Sequence, residues 1–256
     1  MERVTHDGRE TAYRRFDRGG DGPTVCLVHG SGGTKDVWKS QARLADRFPA
    51  VAVDLSGHGD SDDATASAGR EALDAYADDI VAVAEATDAT VLCGNSLGGA
   101  VALWVALERD LALDGLVLAG TGAKLAVAEP LRDALADDFE RAVSLLHEPD
   151  RLFHDAPAEY VELSEAAMRA CGRAVTERDF LTCHRFDVRD RLDEIAVPAL
   201  VVVGAHDGLT PPAYHEYLAA EIPEGEWSEV PDAAHLAMLE RPAAFNDALA
   251  GFLGRL

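Results

Sequence analysis

The stretch GNSLGG, residues 94–99, joins a short apolar run at residues 90–93 to a long Ala/Val/Leu-rich run at residues 100–107. The short run is typical of a buried strand and the long run of a helix, so the stretch forms the turn between them. Glycines at 94 and 98 let the backbone turn sharply and let strand and helix approach closely. Ser96, at the apex, is then held in a strained, exposed conformation with its hydroxyl free to attack a carbonyl.

The other strand candidates are short apolar runs separated by helix-length segments, which predicts an α/β fold. They are residues 24–28, 51–55, 116–119, 200–203 and, more weakly, 227–230. Helices are expected at residues 34–47 and 72–86, and an antiparallel hairpin at residues 2–16, where Asp7-Gly8 supplies the turn. We therefore expect a mostly parallel sheet of about eight strands with helices on both faces.

Between residues 122 and 197 the strand pattern disappears, and helical segments are expected at residues 129–146, 159–170 and 177–192. Thr176 and Asp179 resemble a capping box at the start of the third helix. Such an insertion is either an enlarged crossover between strands or, more often in an enzyme, a lid over the site. We expect a core of residues 1–121 and 198–256, with a helical lid at 122–197 inserted before the strand at 200–203.

A serine hydroxyl needs a base to accept its proton, and the base needs an acid to orient it. His235 is the candidate base because it follows the last strand candidate, at the sheet edge where catalytic groups are held. Asp207 is the candidate acid because it lies just past a buried strand, whereas Asp232 is too close in sequence to His235. The order Ser96, Asp207, His235 is the chain order of a known class of serine hydrolases.

The oxyanion of a tetrahedral intermediate needs two hydrogen-bond donors. We expect the backbone N–H of Leu97, directly after the serine, to be one of them. The other is expected from the loop HGSGG at residues 29–33, through the backbone N–H of Ser31. This loop lacks the lysine of a P-loop and the GxGxxG spacing, so a phosphate site is disfavoured.

Several further side chains are assigned to the surface or to the insertion. The histidines expected to face solvent or to lie in the insertion are His6, His147, His154, His184 and His215. The apolar residues of the insertion expected to shape an acyl pocket are Phe139, Leu146, Phe153, Met168, Phe180 and Phe186. Ordinary packing between lid and core explains each of these six equally well.

Composition limits the partners and the compartment. The net charge of −23 on 256 residues makes nucleic-acid binding improbable and predicts either adaptation to molar salt, as in a halophile, or a surface for a basic partner. The four cysteines show no C-x-x-C spacing, so we expect reduced thiols and no metal site. The chain has no long apolar run and no signal-like N-terminus, which predicts a cytoplasmic protein without a membrane span.

Five features together resemble the α/β-hydrolase superfamily, from about residue 23 to the C-terminus. They are the HGSGG loop, the stretch DLSGHGDS at residues 54–61, the turn around Ser96, Asp207 and His235. The resemblance is closest to compact, single-lid esterases and carbon–carbon-bond hydrolases. It implies that the turn at residues 56–59 is structural, that His58 is not a base and that no cofactor is required; it leaves the oligomeric state open.

Within that family, a serine nucleophile implies acyl transfer: Ser96 attacks a carbonyl, His235 shuttles the proton and water releases the acyl group. We expect a carboxylesterase acting on a small or medium acyl ester. One alternative is cleavage of a carbon–carbon bond in a vinylogous diketone, with Arg185 and Arg189 as candidate carboxylate ligands. Others are a cofactor-free perhydrolase with the same triad and a ligand receptor that signals through its lid.

Overall fold

The computed structural model describes residues 1–256 and contains one sheet of eight strands. The strands are β1 (Glu2–His6), β2 (Arg9–Phe16), β3 (Thr24–Val28), β4 (Ala50–Val53), β5 (Ala89–Asn95), β6 (Gly115–Ala119), β7 (Ala199–Gly204) and β8 (Gly225–Val230). Their spatial order is β1-β2-β4-β3-β5-β6-β7-β8. β2 pairs antiparallel with β1 and β4, and the remaining pairs are parallel. The predicted fold class is confirmed.

Both faces of the sheet are buried at its central strands, which explains why these strands are continuous apolar runs, whereas the edge strand β8 is largely exposed. Every residue of β4, β6 and β7 is buried. Because side chains alternate along a strand, β3 contributes Cys26 and Val28 to one core, and Val25 and Leu27 to the other. The carboxyl ends of the parallel strands meet at one edge of the sheet, so the loops after β3, β5, β7 and β8 converge there.

Helices cover both faces. They are α1 (Arg70–Thr87), α2 (Leu97–Glu108), α3 (Glu129–Asp137), α4 (Phe139–Leu146), α5 (Ala158–Cys171), α6 (Arg173–Arg185), α7 (Pro212–Glu221), α8 (Ala237–Glu240) and α9 (Pro242–Leu253). α1, α2 and α7 pack on one face and α9 on the other. Along the chain, α3 to α6 come after β6 and before β7. We call residues 122–197 the insertion. None of the helices combines the length and the apolar character needed to cross a bilayer.

The predicted helix at residues 34–47 is wrong: two short 3-10 helices, Lys35–Trp38 and Gln41–Leu44, occupy this segment. A tertiary contact competes with the helix. The backbone N–H of Lys35 donates to Asp54 Oδ1 at 2.7 Å, and its ammonium group is paired with the same buried carboxylate. Lys35 is therefore drawn into the core instead of lying on the outer face of a regular helix.

Two helices of the insertion differ from the predicted ones. The segment 129–146 is broken at Asp138, whose side chain accepts a hydrogen bond from the backbone N–H of Arg141 and so begins a new helix. The third helix begins at Arg173, so the predicted capping box of Thr176 and Asp179 is wrong: both residues are buried inside α6. Asp179 hydrogen-bonds to residues of the core rather than to its own helix end.

Candidate active site

Ser96 lies between β5 and α2 with φ 56° and ψ −117°, a conformation that costs a non-glycine residue free energy. The glycines beside it allow close approach. A Cβ atom on Gly94 would lie 2.1 Å from the carbonyl oxygen of Gly98, and one on Gly98 would lie 2.4 Å from the carbonyl oxygen of Val28. The strand, the turn and the helix can therefore pack as they do only with glycine at these two positions.

Asp207 and His235 are buried and paired at the carboxyl edge of the sheet. His235 Nδ1 lies 2.8 Å from Asp207 Oδ2. The other oxygen, Oδ1, accepts the backbone N–H groups of Leu209 and Thr210, each at 2.8 Å. Burial alone would raise the pKa of Asp207, but His235 and the hydrogen bonds from Thr210 keep that pKa below its ordinary value. Asp207 is therefore a carboxylate that orients the imidazole.

Sequence reasoning missed two residues that hold this pair in place. The Thr210 hydroxyl donates to Asp207 Oδ2 at 2.8 Å. The side-chain amide of Asn95, adjacent to Ser96, donates to the carbonyl oxygen of His235 at 3.2 Å. Asp207 accepts the backbone N–H of Leu209 two residues on, as aspartate does in an Asx turn, and an aspartate at the start of such a turn was the available signal. The contact of Asn95 spans 140 residues, so no local pattern indicates it.

Both residues that are expected to supply oxyanion donors, Leu97 and Ser31, lie near Ser96. Leu97 is the first residue of α2, so its N–H has no acceptor within the helix. Residues 30–33 follow β3, and a Cβ atom on Gly30 would lie 3.0 Å from Ser96 Cβ, which places this loop against the serine. Ser31 lines the same cavity as Ser96, and its Oγ is buried without a hydrogen-bond partner.

A cavity of about 920 Å³ contains both Ser96 and His235, and more than half of its lining residues are hydrophobic. The insertion forms one side of it. Of the six apolar residues expected there, the cavity lining includes Leu146, Met168 and Phe180. Phe139, Phe153 and Phe186 do not line it and pack into the cores instead. Leu145 and Leu163 line the cavity as well, although nothing in the sequence distinguished them from their neighbours.

Two arginines considered as carboxylate ligands lie away from the cavity. Arg185 Nη1 donates to the carbonyl oxygen of Ala68, and Arg189 forms two hydrogen bonds of 2.8 Å with the carboxylate of Asp187. The cationic side chains that do line the cavity belong to Lys39 and Arg151. Two carboxylates, those of Asp36 and Glu148, line the cavity as well, and Lys39 Nζ lies 3.6 Å from Asp36 Oδ2.

The remaining histidines lie outside the pairing of His235 with Asp207. His6, His147, His154 and His184 are half-buried, the last three within the insertion. His215 contradicts the expectation because it is fully buried in α7, where its Nε2 accepts the backbone N–H of Thr121 at 3.0 Å. Burial lowers the pKa of His215 to about 4, so it is neutral at pH 7. Asp232, the second candidate acid, is exposed.

One group outside the cavity has the composition of a metal site. Ligand atoms of Asp150, His154 and His206 lie within 4.8 Å of one another. The two imidazole rings are stacked, with centroids 3.6 Å apart and planes inclined by 4°. Their nitrogen lone pairs lie in the ring planes, so parallel rings do not direct them at a common ion. His154 Nδ1 already contacts Asp150 Oδ1 at 2.5 Å, which accounts for the arrangement as an ion pair.

Known proteins resemble this chain over most of its length. Residues 27–248 match the model of the alpha/beta hydrolase family. The pimeloyl-[acyl-carrier protein] methyl ester esterase of Neisseria meningitidis is 30% identical over 247 residues, covering 86% of this chain and 90% of that protein. The 3-oxoadipate enol-lactonase 2 of Acinetobacter baylyi is 25% identical, covering 92% and 90%. A solved thermophilic esterase has a TM-score of 0.86 at 31% identity, covering 99% of this chain and 97% of that one.

Proposed function

Because the chain belongs to the alpha/beta hydrolase family, we propose that it cleaves a carboxylic ester through an acyl-enzyme intermediate. Ser96 is the nucleophile, His235 the base and Asp207 the acid that orients the base. The observation that carries the proposal is that Ser96 and His235 line one cavity while His235 Nδ1 is hydrogen-bonded to Asp207. Relatives that are named esterases support the same reaction class.

The hydrogen bond to Asp207 keeps a proton on His235 Nδ1, so Nε2 is free to accept the proton of the Ser96 hydroxyl. The serine oxygen then adds to the ester carbonyl, and the oxyanion is held by the backbone N–H groups of Leu97 and Ser31. His235 returns the proton to the alcohol as it leaves. Water repeats the sequence on the acyl-enzyme and releases the acid. Each oxyanion donor of this kind contributes about 10²- to 10³-fold to kcat.

The cavity favours an ester with a medium acyl chain. Ligand pockets span roughly 300–1,000 Å³, and a cavity of about 920 Å³ lies near the top of that range. Its apolar wall on the side of the insertion is formed by Leu146, Met168 and Phe180, which are the proposed acyl-binding residues. In this proposal the insertion is the lid over the site.

Carbon–carbon cleavage is the weaker candidate. Arg185 and Arg189 were the residues considered for binding a dienoate carboxylate, and both lie outside the cavity lining. The cationic side chains of the lining, Lys39 and Arg151, are accompanied by the carboxylates of Asp36 and Glu148, so the lining does not single out a substrate that carries a carboxylate. Perhydrolysis would use the same three residues. A ligand receptor would retain them without catalytic turnover.

The test is hydrolysis of p-nitrophenyl esters with acyl chains from two to twelve carbons, in molar KCl, by wild type and Ser96→Ala. We expect turnover with an optimum at medium chain length and a loss of at least about 10³-fold in the variant, because removing the nucleophile of a triad costs far more than that. Serine-independent turnover would overturn the proposal. Folded wild type without turnover would favour carbon–carbon cleavage or a receptor, and a vinylogous diketone is then the next substrate.

Two properties of the whole chain belong to this proposal. The four cysteines are free thiols, and a reducing, cytoplasmic compartment is the proposed location. The net charge of −23 fits an enzyme adapted to molar salt, where screening removes the repulsion between acidic groups. A basic partner protein is the alternative explanation for this charge.

A further inference from the structure

Asp179, in helix α6 of the insertion, is fully buried and contacts three separate parts of the core. Its Oδ1 accepts a hydrogen bond from the Tyr76 hydroxyl at 2.5 Å. Its Oδ2 lies 2.9 Å from His58 Nε2 and accepts the backbone N–H of Gly32 over a longer 3.4 Å. One side chain of the insertion therefore joins α1, the turn at residues 56–59 and the loop at residues 30–33.

The contact between Asp179 and His58 is an ion pair. His58 Nδ1 faces the carbonyl oxygen of Ser56 at 3.2 Å, and Nε2 faces the Asp179 carboxylate. The carbonyl oxygen and an ionised carboxylate only accept, so this geometry suits a ring with hydrogen on both nitrogens, an imidazolium. Burial alone would lower the pKa of His58, but Asp179 raises that pKa well above its ordinary value. Separating the two groups would leave a buried charge without a partner, so the carboxylate is firmly placed.

The loop that Asp179 contacts carries the second oxyanion donor. Gly32 follows Ser31, and it is held by the insertion from two sides: by Asp179, and by Met168 of α5, whose Cγ would lie 3.0 Å from a Cβ atom on Gly32. At the other end of the loop, Gly30 packs against Ser96. The loop that contains Ser31 is thus held by the nucleophile at one end and by the insertion at the other.

We propose that Asp179 is a positioning residue, which fixes Gly32 and so directs the backbone N–H of Ser31 at the oxyanion. The inference rests on the proposed ester cleavage by Ser96. Asp179 makes no bond to the substrate; it acts by holding a donor in place before the reaction, where preorganised donors are most effective. In this proposal the contact between Asp179 and Gly32, rather than the docking of the insertion as a whole, completes the oxyanion hole.

The test compares Asp179→Asn with wild type in kcat, in KM for a p-nitrophenyl ester and in affinity for a trifluoromethyl ketone. The ketone adds to the serine and carries the oxyanion of the intermediate, so its affinity reports on the donors. Asparagine carries no charge to keep the buried His58 protonated, so His58 Nε2 accepts from the amide NH₂ group, the amide oxygen faces Tyr76, and the Gly32 N–H loses its acceptor. Complete loss of a donor costs about 10²- to 10³-fold, so we expect kcat and ketone affinity to fall together by about 10- to 100-fold, with KM within about twofold.

Arg178→Gln is the matched control because Arg178 precedes Asp179 and also ties α6 to the core. Its hydrogen bonds go to Asp63, Tyr76 and the carbonyl oxygens of Ser56 and Ala64, not to the loop at residues 30–33. We expect this variant to loosen the docking of the insertion while kcat and ketone affinity stay within about threefold of wild type. A loss equal to that of Asp179→Asn would overturn the proposal, because docking alone would then explain both.

The proposal is also overturned if folded Asp179→Asn keeps the wild-type kcat and ketone affinity. Ser96→Ala is measured alongside: if it still turns over, the proposed ester cleavage by Ser96 fails, which is a different result. Should Asp179→Asn not fold, Tyr76→Phe replaces it, since this change removes the 2.5 Å hydrogen bond and keeps the carboxylate. We then expect ketone affinity to fall by about threefold or more, and unchanged affinity overturns the proposal.

Discussion

The two oxygens of Asp207 have different partners, and this difference decides which tautomer His235 adopts. Oδ1 accepts the backbone N–H groups of Leu209 and Thr210. Oδ2 faces His235 Nδ1 and accepts the Thr210 hydroxyl. Because two fixed donors surround Oδ1, an amide placed at residue 207 would put its oxygen there and turn its NH₂ group toward the imidazole.

Asp207→Asn is therefore expected to hold His235 in the wrong tautomer, with the proton on Nε2, where it cannot accept the proton of Ser96. We expect kcat for a p-nitrophenyl ester to fall by about 10⁴-fold with the fold intact, because the tautomer that can act as the base is lost. Circular dichroism checks the fold. Asp232→Asn is the control, because Asp232 is exposed and should have no effect. A loss below tenfold at 207, or a large loss at 232, would move the acid elsewhere.

The turn that joins β5 to α2 depends on close backbone contacts that leave no room for a side chain. Gly98 is helical and packed, since a Cβ atom there would lie 2.4 Å from the Val28 carbonyl oxygen. Gly251 is also helical, in α9, but a Cβ atom there would meet nothing closer than the end of the Arg255 side chain, at 4.0 Å. These two glycines separate the effect of helix propensity from the effect of packing.

Gly98→Ala is expected to lower the free energy of unfolding by about 3 kcal/mol, because a backbone carbonyl has to move to admit the methyl group. Gly251→Ala is expected to raise it by roughly 0.5–1 kcal/mol through helix propensity alone. Urea denaturation of both variants in the same salt measures the difference. Equal effects at the two positions would contradict the close approach of α2 to β3.

The interface between α6 and the core contains several ionisable groups around His58. Asp179 pairs with it, the ring of His29 lies 4.8 Å away and that of Tyr76 lies 6.2 Å away. Arg178 and Cys171 are the other ionisable neighbours. Burial lowers the pKa of His29 to about 4, so of these two histidines only His58 carries a proton on both nitrogens at pH 7.

His58→Gln should reduce stability in a pH-dependent way. The pKa of His58 is raised on folding, so the stabilisation by its charge is fully present below about pH 6.5 and is lost as the pH rises through the folded-state pKa. Breaking a buried pair costs about 3–5 kcal/mol. At pH 6 we expect the free energy of unfolding of the variant to be about 3–5 kcal/mol below that of wild type. At pH 10 we expect a smaller difference. A difference that does not change with pH would contradict the ion pair.

At the scale of the whole molecule, the chain carries 46 acidic and 23 basic residues. Repulsion among like charges opposes the compact state in dilute buffer and is screened within about 3 Å at 1 M salt. We expect the Tm to rise by at least about 5 °C from 50 mM to 2 M KCl, or roughly 2 kcal/mol for a chain of this size. Differential scanning calorimetry with reversible scans measures it. A flat or falling Tm would remove the proposal of salt adaptation and favour a basic partner.

Features that depend on neighbouring residues could be predicted from the sequence. The eight strands lie within a few residues of their predicted positions, because buried parallel strands are short apolar runs bounded by turns. The turn around Ser96 was predictable because the two glycines and the serine act within six residues. The proximity of Asp207 to His235 was predictable because each follows a strand, and parallel strands end at one edge of a sheet.

Tertiary structure decided the rest, because the deciding contacts join residues far apart in the chain. Lys35 is drawn to Asp54, so no regular helix forms at residues 34–47. Asp179 has a spacing that indicates a helix cap, yet it is buried against His58, 121 residues away. Which side chains of the insertion line the cavity likewise depends on how its helices pack on the core, since helical periodicity specifies a buried face but not what that face contacts.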